Sequence, residues 1–352
     1  MALLDRIKDQ IRATGPLSVP QYMEICLHDP QDGYYATRPA LGEAGDFITA
    51  PLASQMFGEI IGVWLIESWR RLGRPARFRL VEMGPGDGTL MLDIQRTVRQ
   101  DPAFLAGQDL WLVETSIPLK KVQAERLGRG PQWATSLAGV PTGVPLLLVA
   151  NELLDCLPAR QFIRTQTGWS ERGVGLDKAE NLIFGLMAAL PTRIFPHAPV
   201  GAVVEVSAAQ ENLARDLARR IIMDGGAALL IDYGRAEPGF GDTLQALSKH
   251  KKVSPLAEPG QADLTIHADF PAFIQAASAE GLPSHPILTQ GKFLTAMGII
   301  ERAQALAAAR PDRFDVLERQ LSRLISPQDM GDLFKVICLA QPGLIPPAFE
   351  TP

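Results

Sequence analysis

One stretch of the chain, RLVEMGPGDGTLMLD at residues 79–93, constrains the fold more than any other. A short apolar run ends in an acid, Glu82, and three alternate glycines follow at Gly84, Gly86 and Gly88. Apolar residues at helical spacing come next. Glycine tolerates positive φ and has no Cβ, so the backbone can turn sharply and a ligand can lie against it. The stretch therefore predicts a strand, a tight turn and a helix whose free N–H groups face a nucleotide-like ligand.

The spacing of the glycines narrows the kind of ligand. It is not G-x-G-x-x-G, because the third glycine comes one residue early, and it is not a P-loop, because no Lys-Ser or Lys-Thr follows. E-x-G-x-G-x-G at a strand end resembles the first motif of class I S-adenosyl-L-methionine methyltransferases. An acid there suits a ligand with an ammonium and a sulfonium. The alternative, a turn that binds nothing, is disfavoured because three closely spaced glycines are costly to order.

Composition and charge exclude several classes of protein. The 352 residues are 46% hydrophobic and 21% charged, which is ordinary for a globular protein. A net charge of −5 without a basic stripe argues against nucleic-acid binding. Three distant cysteines, Cys26, Cys156 and Cys338, indicate a reducing compartment, with neither a disulfide framework nor a metal site.

The apolar runs of the sequence bear on where the protein works. None approaches the ~20 residues that cross a bilayer, so we expect no membrane insertion. The start, MALLDRIKDQIRATG, lacks the apolar core of a signal peptide. These patterns predict a cytoplasmic location, or the mitochondrial matrix if the chain is eukaryotic.

Strand and helix patterns predict an α/β fold of the class I methyltransferase kind. We expect a Rossmann-like, mostly parallel, seven-stranded sheet with N-terminal helices and an α+β insertion. The predicted regions are an N-terminal helical region at 1–75, a core at 76–157 and 225–352, and an insertion at 158–224 that supplies a lid or substrate platform. Residues 241–270, rich in Gly and Pro, read as a long loop.

A long amphipathic helix is predicted from about Ser54 to Leu72, with a wide apolar face. This breadth has two explanations. The exposed face could serve a homodimer, and core packing accounts for the width equally well.

Further cofactor-binding candidates follow from strand ends and loops. A second strand is expected to end at Glu114, 26 residues beyond the last glycine, near the offset of the acid that binds ribose hydroxyls. A carboxylate can accept from two neighbouring hydroxyls, although a surface acid is the alternative. Ser136 and Leu137 are expected to flank the adenine of the ligand. A loop before the long helix, with Asp46 and Thr49, is expected to cover the ligand.

The leading candidates for chemistry follow a continuous apolar run, VPLLLVA, which predicts a central strand buried on both faces. They are Asn151, Glu152 and Asp155. In an open sheet the ligand lies at the carboxyl ends of the strands, and this position favours a catalytic role. The alternative is a helix start, with Asn151 as the cap and the acids complementing the dipole. A later strand is expected to end at the same crevice, at Asp232 and Tyr233.

Several stretches together carry a family resemblance: DPQDGYY, GDFITAP followed by SQMFGE, VEMGPGDGTL, LVETS, ANELLDCLPARQF, LIDYG, GDTLQA, DLTIHADF, TQGKFL and MGDLFKV. They resemble the MidA-like family, which includes the mitochondrial methyltransferase that assists assembly of respiratory complex I. The resemblance spans nearly the whole chain, from about Gly15 to Val336.

The resemblance implies a methyltransferase that uses S-adenosyl-L-methionine and symmetrically dimethylates an arginine on a complex I subunit of the 49 kDa type. A protein substrate is therefore implied. Residues carried over by motif fall into three groups. They are Glu82, Gly84, Gly86 and Gly88 for the methionine end of the cofactor, Glu114 for the ribose, and Asn151, Glu152 and Asp155 for the side facing the methyl group.

The chemistry of such a transfer fits the acids at the central strand. A guanidinium is a poor nucleophile because it stays protonated and its charge is delocalised. Glu152 and Asp155 could pair with two of its nitrogens, and alignment would supply much of the rate without a metal. Two alternatives remain, a small-molecule methyltransferase and a non-catalytic assembly factor on the same fold. A dinucleotide oxidoreductase is disfavoured by the glycine spacing.

Overall fold

The computed structural model describes residues 2–37, 49–188, 195–248 and 251–350. Asp46, which was expected in the cofactor site, lies outside the described residues.

Strands within these ranges are β1 (Leu17–Ser18), β2 (Phe78–Met83), β3 (Gln108–Val113), β4 (Gln132–Ala134), β5 (Leu146–Asn151), β6 (Arg160–Arg164), β7 (Trp169–Leu176), β8 (Leu182–Met187), β9 (Val203–Val206), β10 (Gly226–Arg235), β11 (Gln245–Ser248), β12 (Lys251–Val253), β13 (Asp263–Thr265), β14 (Ala268–Asp269), β15 (Leu288–Thr289) and β16 (Phe334–Ala340). Helices are α1 (Leu3–Thr14), α2 (Val19–His28), α3 (Tyr34–Thr37), α4 (Ala50–Ala53), α5 (Gln55–Arg71), α6 (Thr89–Val98), α7 (Pro102–Gly107), α8 (Ile117–Leu127), α9 (Ala208–Asp224), α10 (Phe270–Ala279), α11 (Gln290–Ala296), α12 (Ile299–Ala309), α13 (Phe314–Ile325) and α14 (Met330–Leu333).

A large sheet with the order β15-β16-β10-β5-β2-β3-β4 forms the centre of the molecule. Strands β4, β3, β2, β5 and β10 run parallel, and β16 pairs antiparallel with β10. The short β15 pairs antiparallel with β16, and β14 adds a parallel bridge at the end of β10. The predicted α/β fold with a mostly parallel sheet is confirmed, but the sheet has eight strands and not seven, because the short β14 also pairs with β10.

Helices cover both faces of this sheet because the central strands are apolar on both faces. In β5, Leu147 and Val149 pack with Trp64 of α5 in one core cluster. The alternate residue Leu148 packs with Leu217 of α9 in another. The helix predicted from Ser54 to Leu72 is observed as α5, and eleven of its residues are buried. Core packing thus explains its wide apolar face, and a homodimer through this helix stays a prediction.

The N-terminal helices and two small sheets form a third core cluster, which contains Ile7, Tyr22, Val174 and Leu264. One sheet has the order β1-β7-β6-β9, with β8 beside β7. The other has the order β12-β11-β13 and lies within residues 241–270. The expectation of a long loop there was therefore wrong. Strands of three or four residues are too short to leave a clear periodic pattern in a stretch rich in Gly and Pro.

The division of the chain into three regions stays a prediction, and two contacts cross it. In the first, β1 pairs antiparallel with β7 of the predicted insertion. In the second, α9, assigned to the same insertion, packs on the large sheet through Leu217 and Ile221. The helix therefore serves as the crossover from β5 to β10.

Candidate active site

The turn after β2 has the backbone that its glycines predict. Gly84, Gly86 and Gly88 have φ of 66°, 53° and 83°, all in the left-handed region. A Cβ on Gly84 would also lie 3.0 Å from Cδ1 of Leu153, in the loop after β5. The turn therefore needs glycine for conformation and, at Gly84, for space.

Asp87, between the second and third glycines, has a structural role of its own. Its Oδ1 accepts a hydrogen bond of 3.0 Å from the backbone N–H of Thr89, at the start of α6. Its Oδ2 pairs with Arg126 of α8 at 2.6 Å. An acid at this position stabilises a helix N-terminus, and the arginine partner offsets its charge.

Glu82 ends β2 as a buried carboxyl with unmet hydrogen-bonding capacity. It is 2% exposed, and its Oε2 has no hydrogen-bond partner among the residues that the structure describes. Burial raises its pKa to about 8, with further contributions from the negative charges of Asp87 and Glu114. A buried acid with an orphaned oxygen is suited to a cationic ligand group, which would favour its ionised form.

Glu114 directly follows β3 and is held by two donors. Its Oε1 accepts a hydrogen bond of 2.7 Å from the backbone N–H of Ser116, and its Oε2 accepts one of 3.1 Å from Gln123. Burial raises the pKa of Glu114, and these two donors oppose the rise. A carboxylate has about four acceptor positions, so roughly two remain for a pair of neighbouring hydroxyls.

The segment after β5 is a turn and not a helix, so the helix-start alternative at Asn151 was wrong. Glu152 has φ of 52°, a left-handed conformation that is uncommon for a residue with a side chain. Its Oε1 accepts hydrogen bonds from the Asn151 side chain at 2.9 Å and from the Ala50 N–H at 3.4 Å. Strained backbone of this kind is concentrated at functional sites.

Two acids of this turn show raised pKa values. The pKa of Glu152 rises to about 7 through burial and then through the charge of Asp155. The pKa of Asp155 rises to about 6, again through burial. Among the described residues, no Lys, Arg or His contributes to either shift. Behind them, fully buried Asp232 at the end of β10 has a pKa raised well above its usual range by burial and by both neighbouring carboxyls.

One cavity of about 1290 Å³ joins these features. It lies at the carboxyl ends of the parallel strands, where ligands bind in open α/β sheets. Gly88 directly precedes α6, and Asp232 and Tyr233 lie in β10; these three residues are absent from the described residues of the lining, so the expectation that Asp232 and Tyr233 reach the crevice was wrong. The other predicted site residues within the described ranges line the cavity: Thr49, Glu82, Gly84, Gly86, Glu114, Ser136, Leu137, Asn151, Glu152 and Asp155.

The cavity wall also includes residues that sequence reasoning missed. Tyr35 donates a hydrogen bond of 3.1 Å to Asp263 Oδ1, and its carbonyl accepts one of 2.8 Å from the Ser116 hydroxyl. His28 stacks on Tyr35 with ring centroids 5.6 Å apart. Two of the stretches that carry the family resemblance, DPQDGYY and DLTIHADF, contain Tyr35 and Asp263 and were the available signal.

Within the described ranges, no set of His, Cys, Asp and Glu side chains comes together in a way that could hold a metal ion. None of the described helices combines the length and hydropathy that a membrane crossing requires.

Comparison with known proteins agrees with this geometry. A family model described as "Putative S-adenosyl-L-methionine-dependent methyltransferase" matches residues 60–287, and the chain belongs to this family. The protein is thus a methyltransferase whose cofactor is S-adenosyl-L-methionine, and the MidA-like resemblance is confirmed.

Relatives of known name extend over almost the whole chain. The human protein arginine methyltransferase NDUFAF7, mitochondrial, is 35% identical over 368 residues, which cover 96% of this chain and 83% of the human protein. The Drosophila melanogaster homolog is 33% identical over 390 residues, 98% of this chain and 86% of that protein.

A solved structure supports the same fold. An uncharacterized protein from Burkholderia thailandensis is similar with a TM-score of 0.83 at 25% identity, over 99% of this chain and 92% of that one. A second structure from the same organism, a likely methyl transferase bound to S-adenosyl-homocysteine, has a TM-score of 0.80 at 24% identity, over the same 99% and 92%.

Proposed function

We propose that the protein methylates an arginine side chain of a partner protein, by symmetric dimethylation. The observation that carries the proposal is the pair of carboxyls Glu152 and Asp155, which line the same cavity as the glycine turn. Among the described residues, no Lys, Arg or His lowers the pKa of either carboxyl. A guanidinium supplies the missing positive charge and can bind two carboxylates at once. The names of the relatives support a protein arginine substrate.

The residues present fit the cofactor. The orphaned oxygen of Glu82 and the left-handed glycines Gly84 and Gly86 would hold its methionine end, and Glu114 would hold the ribose. Ser136 and Leu137, also in the cavity wall, would flank the adenine. When bound, the cofactor supplies a methyl group activated by a sulfonium.

The turn after β5 would hold and orient the arginine. Ionised Glu152 and Asp155 draw the positive charge of the guanidinium toward two nitrogens and leave the third to face the methyl group. With the cofactor bound, one guanidinium nitrogen would receive the methyl group, and the guanidinium would release one proton. Glu152, ionised while it binds the guanidinium, is the acceptor that we propose for that proton.

The partner we propose is a subunit of respiratory complex I of the 49 kDa type, whose assembly the methylation would aid. The family resemblance supports this choice. The reaction would then take place where that complex is built, in the cytoplasm of a bacterium or in the mitochondrial matrix of a eukaryote. The cavity, at about 1290 Å³, is larger than the ~300–1,000 Å³ of a typical single-ligand site, which suits a cofactor together with an entering side chain.

The first test separates cofactor binding from transfer. Calorimetric titration with S-adenosyl-L-methionine should show saturable binding that Gly86→Val abolishes, because valine cannot readily adopt a φ of 53°. Glu152→Gln should keep that binding and lose transfer to a complex I subunit, measured as methylated arginine by mass spectrometry. Glu318→Gln, an exposed acid on α13, is the matched control.

The outcomes distinguish the proposal from its alternatives. Near-normal transfer by Glu152→Gln would remove this residue from the mechanism. Cofactor binding by the intact protein without any arginine methylation, but with retention of the partner by Gly86→Val, would favour a non-catalytic assembly factor.

A further inference from the structure

Gln123, in α8, lies fully buried between the glycine turn and the end of β3. Its Nε2 donates hydrogen bonds to the carbonyl of Gly86 at 2.7 Å and to Oε2 of Glu114 at 3.1 Å. Its Oε1 accepts one of 2.8 Å from Nε1 of Trp133, in β4. One side chain thus contacts three separate segments: the glycine turn after β2, the residue that follows β3, and β4.

The chemistry of the three partners fixes the orientation of this amide. The indole of Trp133 can only donate, while the Gly86 carbonyl and the Glu114 carboxylate can only accept. Rotating the amide by half a turn would place its oxygen against both acceptors and its NH2 group against the indole N–H. Gln123 is therefore held in one orientation, with both N–H groups in use.

Gln123 also packs against the third glycine. A Cβ on Gly88 would lie 3.6 Å from the Cα and from the Cγ of Gln123. The residue therefore supports the glycine turn by contact as well as by its bond to Gly86, where the backbone has φ of 53°. A left-handed glycine has several accessible conformations, so a bond to its carbonyl selects one of them.

We propose that Gln123 is a positioning residue that couples the ribose-binding carboxylate of Glu114 to the methionine-binding turn and thereby sets affinity for the cofactor. This inference rests on the proposed roles of Glu114 and Gly86. Glu114 follows β3 and Gly86 lies in the turn after β2, and a ligand that spans the two needs their spacing fixed in advance. Gln123 bonds to both through the same nitrogen.

The test is calorimetric titration of Gln123→Met with S-adenosyl-homocysteine. Methionine keeps the length of the side chain and its helix propensity but cannot donate. The affinity of this variant for S-adenosyl-homocysteine should fall about tenfold to hundredfold, the effect of losing hydrogen bonds to a charged group and to a half-buried carbonyl. Gln290→Met is the matched control, since Gln290 is equally buried and donates to the Leu324 carbonyl outside the cavity. The control should lose stability and keep its affinity.

A pH profile separates positioning from a general loss of packing. Gln123 favours the ionised form of Glu114, so its removal should move the acid limb of the affinity profile to higher pH. Other charged groups that act on Glu114 or share its surroundings are Glu82 at the end of β2 and Lys120 of α8, and the variant leaves both in place. A role in packing alone would leave the limb unmoved.

Variants of Glu114 keep the two proposals apart. Glu114→Gln should also weaken binding. The double variant with Gln123→Met should lose less binding free energy than the sum of the losses in the two single variants. If Glu114→Gln binds normally, the ribose role is wrong. If Glu114→Gln loses affinity but folded Gln123→Met keeps both its affinity and its pH profile, the positioning role is wrong. Should Gln123→Met fail to fold, Trp133→Phe removes the N–H that orients the amide, and unchanged affinity in that variant would equally overturn the inference.

Discussion

The carboxylate of Asp232, at the end of β10, accepts a hydrogen bond of 2.7 Å from the backbone N–H of Leu154. The same oxygen accepts from the N–H of Asp155 at 3.2 Å, and the other oxygen accepts from the N–H of Tyr233 at 2.8 Å. One buried side chain thus ties the end of β10 to the turn that carries the candidate catalytic acids. Two N–H groups of the turn are thus bound by a residue 77 positions away from Asp155 along the chain.

Asp232→Asn should disturb this turn. An amide has one acceptor oxygen, so at least one of the three N–H groups would face an NH2 group instead. We expect the free energy of unfolding to fall by about 1–3 kcal/mol, the effect of leaving buried donors unpaired. Urea denaturation checks this. Methyl transfer should fall more than binding of S-adenosyl-homocysteine, and unchanged stability and transfer would show that the turn does not depend on Asp232.

The left-handed backbone of Glu152 predicts that substitution by glycine destabilises the protein less than substitution by alanine. Both Glu152→Gly and Glu152→Ala remove the buried carboxyl, but alanine keeps the steric conflict at a φ of 52°. The glycine variant should therefore be more stable than the alanine variant by about 1 kcal/mol, net of the greater entropy of glycine in the unfolded chain. Thermal denaturation of the pair gives this difference. Equal or reversed stabilities would mean that the turn relaxes when its side chain is removed.

Proton release should accompany cofactor binding at Glu82. The pKa of this carboxyl is about 8 before binding, and a nearby ammonium favours the ionised form. Affinity should therefore rise with pH from about 6 to about 7.5, approaching tenfold per unit. Titrations in buffers of different ionisation enthalpy measure the protons released, and Glu82→Gln should release fewer.

The same carboxyl affects the stability of the free protein in the opposite sense. Between its usual pKa and about 8, the folded state holds a proton that the unfolded state has lost. The contribution of Glu82 to stability is therefore complete at low pH and declines as pH rises through this window. Denaturation of Glu82→Gln should lack that decline, and an unaltered pH dependence would argue against the raised pKa.

Cysteine labelling offers an independent test of the cavity. Cys156 lines it and is half-buried, whereas Cys26 and Cys338 are buried. Iodoacetamide should label Cys156 first, and slowly at neutral pH, because burial raises the pKa of its thiol well above the usual range. Mass spectrometry identifies the labelled site. Earlier labelling of Cys26 would show that the N-terminal core opens more readily than the cavity admits the reagent.

Local chemistry explains what the sequence could predict. The glycine turn, the acids Glu82 and Glu114 at strand ends, and the doubly buried β5 each follow from residues adjacent in the chain. Their roles in binding the cofactor stay predictions, but their positions at one edge of the sheet follow from the rule that parallel strands end together.

Contacts between distant parts of the chain account for the features that the sequence could not predict. Tyr35 and Asp263 are 228 positions apart, and nothing in either stretch indicates that they meet. Gln123 reads as an ordinary polar residue inside a helix. The strands β11 and β13 are only four and three residues long, and Ala246 and Leu264, one from each, are buried in the third core cluster, so tertiary packing and not a local pattern accounts for them.

The hydroxyl of Ser207 donates a hydrogen bond of 2.9 Å to the carbonyl of Pro158, 49 positions earlier. The two ends of the segment that contains β6 to β9 therefore meet, between the candidate catalytic turn and α9. Segments whose ends already meet can change length at a small entropic cost, about 0.6 kcal/mol per doubling. We therefore expect the loops of this segment to tolerate insertions while β5, the turn and α9 keep their places.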